Sequence, residues 1–176
     1  MTTKQAATAL CLVLAALTTL ITATTSVARA GGADPRIPVG NTSGEIPADV
    51  CGFPIHISAI ADREYVVQRR ENLDGSITTR VTGSLTNRLT NLDTGASIDY
   101  DNGGPGTFTV YPDNHASLDF QGKSIAWVRA AHKTRLGAPA LRLVSGGHTR
   151  GRLDASGDIV ELSMTGHVVD GCDLLF

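Results

Sequence analysis

The chain has 176 residues, 41% of them hydrophobic and only 5% aromatic, with 15 Lys and Arg against 17 Asp and Glu. The net charge of −2 is an ordinary soluble balance. It argues against a dedicated nucleic-acid binder, which carries a basic excess.

The N-terminus reads as an export signal. Lys4 precedes an uncharged run from Ala6 to Val27, and Ala28-Arg29-Ala30 ends it in the small-x-small pattern that signal peptidase cuts. The pattern predicts cleavage after Ala30, with Ser26-Val27-Ala28 as a second choice. An uncleaved anchor is the competing reading, because the run is long enough to span a bilayer. Interspersed Thr residues and the Ala-x-Ala ending favour a signal peptide over residues 1–30 and a secreted, extracellular product. No later stretch is long and apolar enough to cross a membrane. Cleavage leaves 146 residues, one domain's worth, with 13 bases and 17 acids.

Residues 31–50 are rich in Gly, Pro, Asn and Ser and read as a flexible leader, so that the domain spans 51–176. Two cysteines survive cleavage, Cys51 and Cys172, and in an exported chain they have one pairing, a structural disulfide that closes a loop of 122 residues.

From Cys51 on, the pattern is β. Phe53, Ile55, Ile57 and Ala59 alternate with polar residues, and Pro54 places the start of that strand at a sheet edge. A second strand, Glu64 to Asn72, runs into Asp74-Gly75, a two-residue hairpin signal. The next is the clearest. Ile77, Thr79, Val81, Leu85 and Leu89 fall on one face, and Thr78, Arg80, Thr82, Ser84, Thr86, Arg88 and Thr90 on the other, with Gly83 marking a bulge or bend. Turns at Asp93 to Gly95, Asp101 to Gly106 and Tyr111 to Asn114 separate short strands around Ile98 and Tyr100, Phe108 and Val110, Leu118 and Phe120, and Ile125 to Val128. Only Trp127 to Arg135 has room for a helical turn or two. Strands resume at Leu141 to Val144 and Thr149 to Leu153, and a Gly-containing turn, Asp154 to Asp158, leads to the last buried face, Val160 to Val168. Short links favour antiparallel neighbours. The expected fold is an all-β, single antiparallel meander closing as a sandwich or flattened barrel with one disulfide.

Four features carry a resemblance: Cys51-Gly52-Phe53-Pro54, the run Leu89 to Gly95, the turn Gly104 to Gly106, and Asp170 to Cys172. With them the domain resembles a family of small secreted actinobacterial proteins to which no activity is assigned. The resemblance implies a signal peptide, an all-β domain and a Cys–Cys staple, and it supplies no catalytic residue.

Chemistry is sparse. Phe120 to Leu153 holds seven bases, Lys123, Arg129, Lys133, Arg135, Arg142, Arg150 and Arg152, and no acid. Either this stretch is a basic face that docks on an anionic envelope component, with Arg129, Lys133 and Arg135 as candidate contacts, or acidic strands lie beside it and the charges alternate in space. The five histidines lack metal-ligand spacing, and His56 and His167 are candidates to flank a shared site near the disulfide. Asp99 to Gly103 begins like a calcium loop, but Val110 stands where the bidentate acid belongs, so a plain turn is expected. There is no Gly-x-Ser-x-Gly elbow and no phosphate loop. The expectation is a non-catalytic binding or interaction module with no cofactor and no nucleic-acid partner. Its partner would be an envelope component or another protein. A carrier of an apolar small molecule and a hydrolase with an unrecognised site are the alternatives.

Overall fold

The structure is a computed structural model that describes residues 37–39, 43–137 and 141–176. The expected export signal over residues 1–30 and the first part of the expected leader lie outside these residues. Among the described residues there are nine strands, β1 (Ile37–Pro38), β2 (Ser43–Ile46), β3 (Ile55–Glu71), β4 (Ile77–Asn91), β5 (Ser97–Asp101), β6 (Gly106–Val110), β7 (Ala116–Trp127), β8 (Leu141–Leu153) and β9 (Ile159–Asp170), and one helix, α1 (Ala130–Leu136). Every strand pairing is antiparallel and belongs to one sheet, in the order β1-β3-β4-β6-β7-β8-β9, with β2 also on β3 and β5 also on β4.

The all-β meander with a single disulfide is therefore what forms, but hydrogen bonds do not close it: the path stays open between β9 and the β1/β2 edge. Closure comes from folding the sheet over. β3 lines one edge of β4 throughout, while β5 and β6 share the other. Since β5 pairs with β4 alone and the last residues of β7 pair with β8 alone, the sheet forks there into two leaves. Ile46, Val50, Phe53, Ile55 and Leu89 come from one leaf and Leu141 and Leu143 from the other, and all seven are buried in one cluster. That end is a sandwich in miniature. Cys51, on the turn before β3, is bonded to Cys172, just after β9, so the disulfide fastens the two outer margins that no ladder joins. Asn91 is 2% exposed, and its amide donates to the Leu175 carbonyl while its Oδ1 accepts from the N–H groups of Asp93 and Thr94. One side chain thus shapes the β4–β5 turn and pins the tail over the core.

A line of glycines marks where the strands turn from the forked end into the continuous one. Gly83 of β4 accepts from the N–H of Gly104, Gly122 of β7 is paired with Gly147 of β8, and Gly147 with Gly166 of β9. Register shifts fall on the same line, between Gly122 and Ser124 and between Ser145 and Gly147, and bulged strands bend. The bend expected at Gly83 is thus one point of a crease that crosses the sheet.

Two expectations need correcting. The leader reading leaves Ser43 to Val50 outside the domain, yet β2 pairs with β3 and both Ile46 and Val50 are fully buried. Two apolar positions among Gly, Pro and acids carry no periodicity, and their burial comes from tertiary contact alone. The strands read separately at Phe53 and Glu64 are one strand, β3, as are those at Leu118 and Ile125 (β7) and at Leu141 and Thr149 (β8). A bulge adds one residue and inverts the alternation without ending the strand.

Glu64 sits opposite Gly83 in this crease. Burial, with Asp62 adding repulsion, pushes its carboxyl up to about 7. A carboxyl raised above its unfolded value contributes stability that is complete below its ordinary range and is lost as pH rises through 7. Denaturant titration should show stability falling between about pH 4.5 and 7.5, and Glu64→Gln should flatten that slope. The gain at pH 7.5 should be about 1–2 kcal/mol, reduced from the full linkage value because water screens a half-exposed carboxyl. A variant with the wild-type slope would contradict it.

Candidate functional site

At the continuous end, six strands lie side by side and alternate residues form rows across them. One row runs Arg70, Thr78, Thr109, Ser117, Arg152, Glu161, and the next Gln68, Arg80, Thr107, Asp119, Arg150, Ser163. Residues directly opposite in a ladder share a face, so both rows lie on one side of the sheet. All twelve side chains are polar. The four arginines, Gln68, Glu161 and Ser163 are exposed, and the others are half-buried between their neighbours. On the reverse side the matching rows include Val66, Val81, Gly106, Phe120, Thr149 and Met164, then Thr79, Phe108, Leu118, Gly151 and Leu162. There Phe120 crosses Phe108 edge to face at 4.8 Å, over Gly106, where even a Cβ would come within 2.5 Å of the ring. Period two thus gathers the large apolar residues of these rows on one side, where Arg69, opposite Thr79, is the charged exception.

The polar side spans five strand steps, about 24 Å, with its rows about 7 Å apart. Asp119 accepts from Arg150 Nε at 2.9 Å and is bonded to His148 Nε2, contacts that hold its carboxyl below the usual carboxylate range, the His148 bond foremost. Arg152 pairs with Glu161 at 3.0 Å. Arg70 donates to Asn72 Oδ1, and neither Arg70 nor Arg80 has a carboxylate partner among the described residues. Four guanidiniums against two carboxylates leave the two rows cationic. Two open hollows border them. One, of about 570 Å³, is lined by Asp74, Tyr111, Pro112, Asp113, His115 and Arg152, and the other by Arg150, Arg152, Glu161 and Ser163 among others.

The basic stretch from Phe120 to Leu153 is largely matched in space. Besides Arg150 and Arg152, Lys123 pairs with Asp101 at 2.8 Å and Arg129 with Asp49 at 3.1 Å. The candidate contacts lie on and beside α1. Arg129, at its N-terminal cap, and Lys133, donating to the Val50 carbonyl at 2.7 Å, tie the helix to the turn that carries Cys51. Arg135 is exposed, with its guanidinium 3.3 Å from His132 Nδ1. Asp99 and Asp101, where a plain turn is expected in place of a calcium loop, are strand residues paired with Arg88 and Lys123. His56 stands opposite Thr90 and Glu45, and His167 opposite Ser145. Both are exposed, and no hydrogen bond joins them.

Sequence spacing misses one convergence. His132 of α1 and Asp154 and Asp158 of the β8–β9 turn bring ligand-type atoms within 4.8 Å of one another. Asp154 Oδ1 already accepts from Ser156 N, Ser156 Oγ and Asp158 N, and Arg129 Nε lies 3.9 Å from Asp158 Oδ1. Turn hydrogen bonds and the guanidiniums of Arg129 and Arg135 thus already answer these carboxylates and the imidazole.

Comparison with protein-family models, with curated proteins and with solved structures finds no match. Among the described residues no helix is long and apolar enough to cross a membrane.

Proposed function

We propose that this is an exported, non-catalytic binding domain, acting at the cell envelope or outside the cell, and that its contact surface is the polar side of the six-strand sheet. The observation that carries this reading is the pair of rows from Arg70 to Glu161 and from Gln68 to Ser163: a broad, solvent-facing, hydroxyl- and guanidinium-rich surface with no apolar residue in either row. A surface built only for solubility needs no such order, because mixed charges at random positions suffice. Export is supported by the signal-like N-terminus, by the disulfide, which persists outside the reducing cytosol, and by the resemblance to small secreted actinobacterial proteins. The reverse side of the sheet is apolar, but its members fill one another's gaps, as Phe120 fills the space over Gly106, which favours a contact surface over a carrier cavity.

Retention on isolated envelope fragments tests the reading. The wild-type domain should be retained, and Thr109→Glu/Ser117→Glu, which plants two carboxylates in the middle of one row, should reduce retention at least tenfold. Leu92→Glu, on the β4–β5 turn and 50% exposed, should leave retention unchanged. Equal retention of all three proteins would place the contact elsewhere.

A further inference from the structure

We infer that the polar surface binds a linear, hydroxyl-rich phosphodiester polymer laid across the strands, with Arg70 and Arg80 capturing its phosphates. The inference rests on the reading of that surface as the contact face and names its ligand class. Charge complementarity selects an anion. Arg150 and Arg152 are each held by a carboxylate, whereas Arg70 and Arg80, both exposed, have none among the described residues and are the groups an incoming phosphate meets first. Guanidiniums engage phosphate oxygens with paired N–H donors, and all the basic residues in these rows are arginines rather than lysines.

Repetition selects a polymer over a small anion. Along the first row Arg70 and Arg152 are four strand steps apart, about 19 Å, and along the second Arg80 and Arg150 are three steps apart, about 14 Å. No single phosphate spans such distances, but a chain with a charge at each repeat reaches both ends of a row. Between those ends lie Thr78, Thr109 and Ser117 in one row, and Thr107 and Asp119 in the other, with the Asp119 carboxylate taken up by Arg150 and His148. The four hydroxyls both donate and accept and so suit a polyol or sugar backbone. The Thr78 and Thr109 hydroxyls are 3.1 Å apart, already aligned across the strands.

The same rows disfavour two other polyanionic partners. Single-stranded nucleic acid binds through aromatic platforms that stack its bases. Neither row holds an aromatic residue, and Tyr111 beside Ser117 offers one ring, not a platform. A lipid surface is gripped by apolar side chains inserted beneath the headgroups, and neither row supplies one.

The test is binding of the full disulfide-bonded domain to an oligomer of glycerol phosphate, by titration calorimetry at two salt concentrations. Three probes run beside it: single-stranded DNA with the same number of phosphates, phosphatidylglycerol vesicles, and neutral dextran. The oligomer should bind wild type with an affinity that falls as salt rises. Arg70→Gln/Arg80→Gln should weaken binding at least tenfold and make the slope of log affinity against log salt shallower by about 1 to 1.5, two phosphate contacts' worth. Leu92→Glu/Leu174→Glu, which adds negative charge at exposed positions off the rows, should change affinity less than twofold. Both residues of the Gln pair are exposed, and a circular dichroism spectrum like that of wild type is the control for folding. An unbound oligomer, a Gln pair that binds like wild type, or tighter binding of DNA, vesicles or dextran than of the oligomer each overturns the inference. If the oligomer fails while envelope retention still depends on Thr109 and Ser117, the contact face stands and only its ligand class is wrong.

Discussion

Gly83→Ala is expected to cost about 3–5 kcal/mol, enough to leave much of the domain unfolded at the marginal stability of ordinary domains. Two effects add. Gly83 has φ +141°, a conformation that residues with a Cβ avoid, and such strain alone costs about 1–3 kcal/mol. The added Cβ would stand 2.1 Å from the Arg63 carbonyl oxygen and 2.7 Å from Glu64 Cα. Both are backbone atoms of the paired strand, so relief requires β3 and β4 to part at the crease. Gly95→Ala separates the two effects. Gly95 has φ +78° but nothing within 4 Å of the new Cβ, so its cost should stay near 1 kcal/mol. Denaturant unfolding of both variants with the disulfide intact reads the difference. Equal costs would mean that close approach at Gly83 does not hold the crease.

Gly166→Ala should behave like Gly83→Ala, with φ +97° and its Cβ 2.1 Å from the Gly146 carbonyl oxygen. Gly83 and Gly166 lie in different strands, four steps apart in the sheet. A Gly83→Ala/Gly166→Ala double variant whose cost differs from the sum of the two would show the crease to be one cooperative feature.

The sequence made the strands legible because period two is written along the chain. In β4 it revealed both sides of the sheet, down to the polar set Thr78, Arg80 and Thr82 that proves to be part of a larger surface. The positions of turns were legible where local chemistry defines them, at Asp74-Gly75 and at Asp154 to Asp158, whose aspartates accept from backbone N–H groups two residues on. The first is not the two-residue hairpin expected, because residues 72–76 link β3 to β4 and the Asn72 N–H donates to the Ser76 carbonyl. The surface itself was not legible. Arg70 and Arg152 belong to one row but stand 82 positions apart, and nothing local signals that they share a face. The charge count along the chain even points the wrong way. The basic stretch is where most cations find acids, and the two arginines of the rows with no carboxylate partner among the described residues come from the acid-rich first half. Arg129 and Lys133 read as surface contacts for the same reason: their partners Asp49 and Val50 are 80 or more residues away. What sequence pattern conveys here is the side of the strand, and what it withholds is the neighbour.

Replacing both cysteines, Cys51→Ser/Cys172→Ser, should lower stability by about 4 kcal/mol, close to the chain-entropy ceiling for so long a loop. The bond closes 122 residues, nearly the whole domain, so its removal frees almost the entire unfolded chain. The folded state also has few alternatives to it. The hydrogen-bonded path is open, and the bonded margins are the turn before β3 and the segment after β9. Packing around Val50, Phe53, Leu141 and Leu175 and the Asn91–Leu175 hydrogen bond also bring them together among the described residues. Urea unfolding should show two changes together: a lower midpoint, and a steeper dependence on urea because the uncrosslinked chain exposes more surface on unfolding. A cost below about 2 kcal/mol would mean that side-chain packing alone holds the leaves together. The same dependence bears on where the domain works. If the bond carries this share of stability, the reduced protein should be largely unfolded where thiols are kept reduced and should fold once oxidised. Protease resistance measured before and after oxidation reads that directly. A reduced form as resistant as the oxidised one would remove the physical reason for folding outside the cytosol.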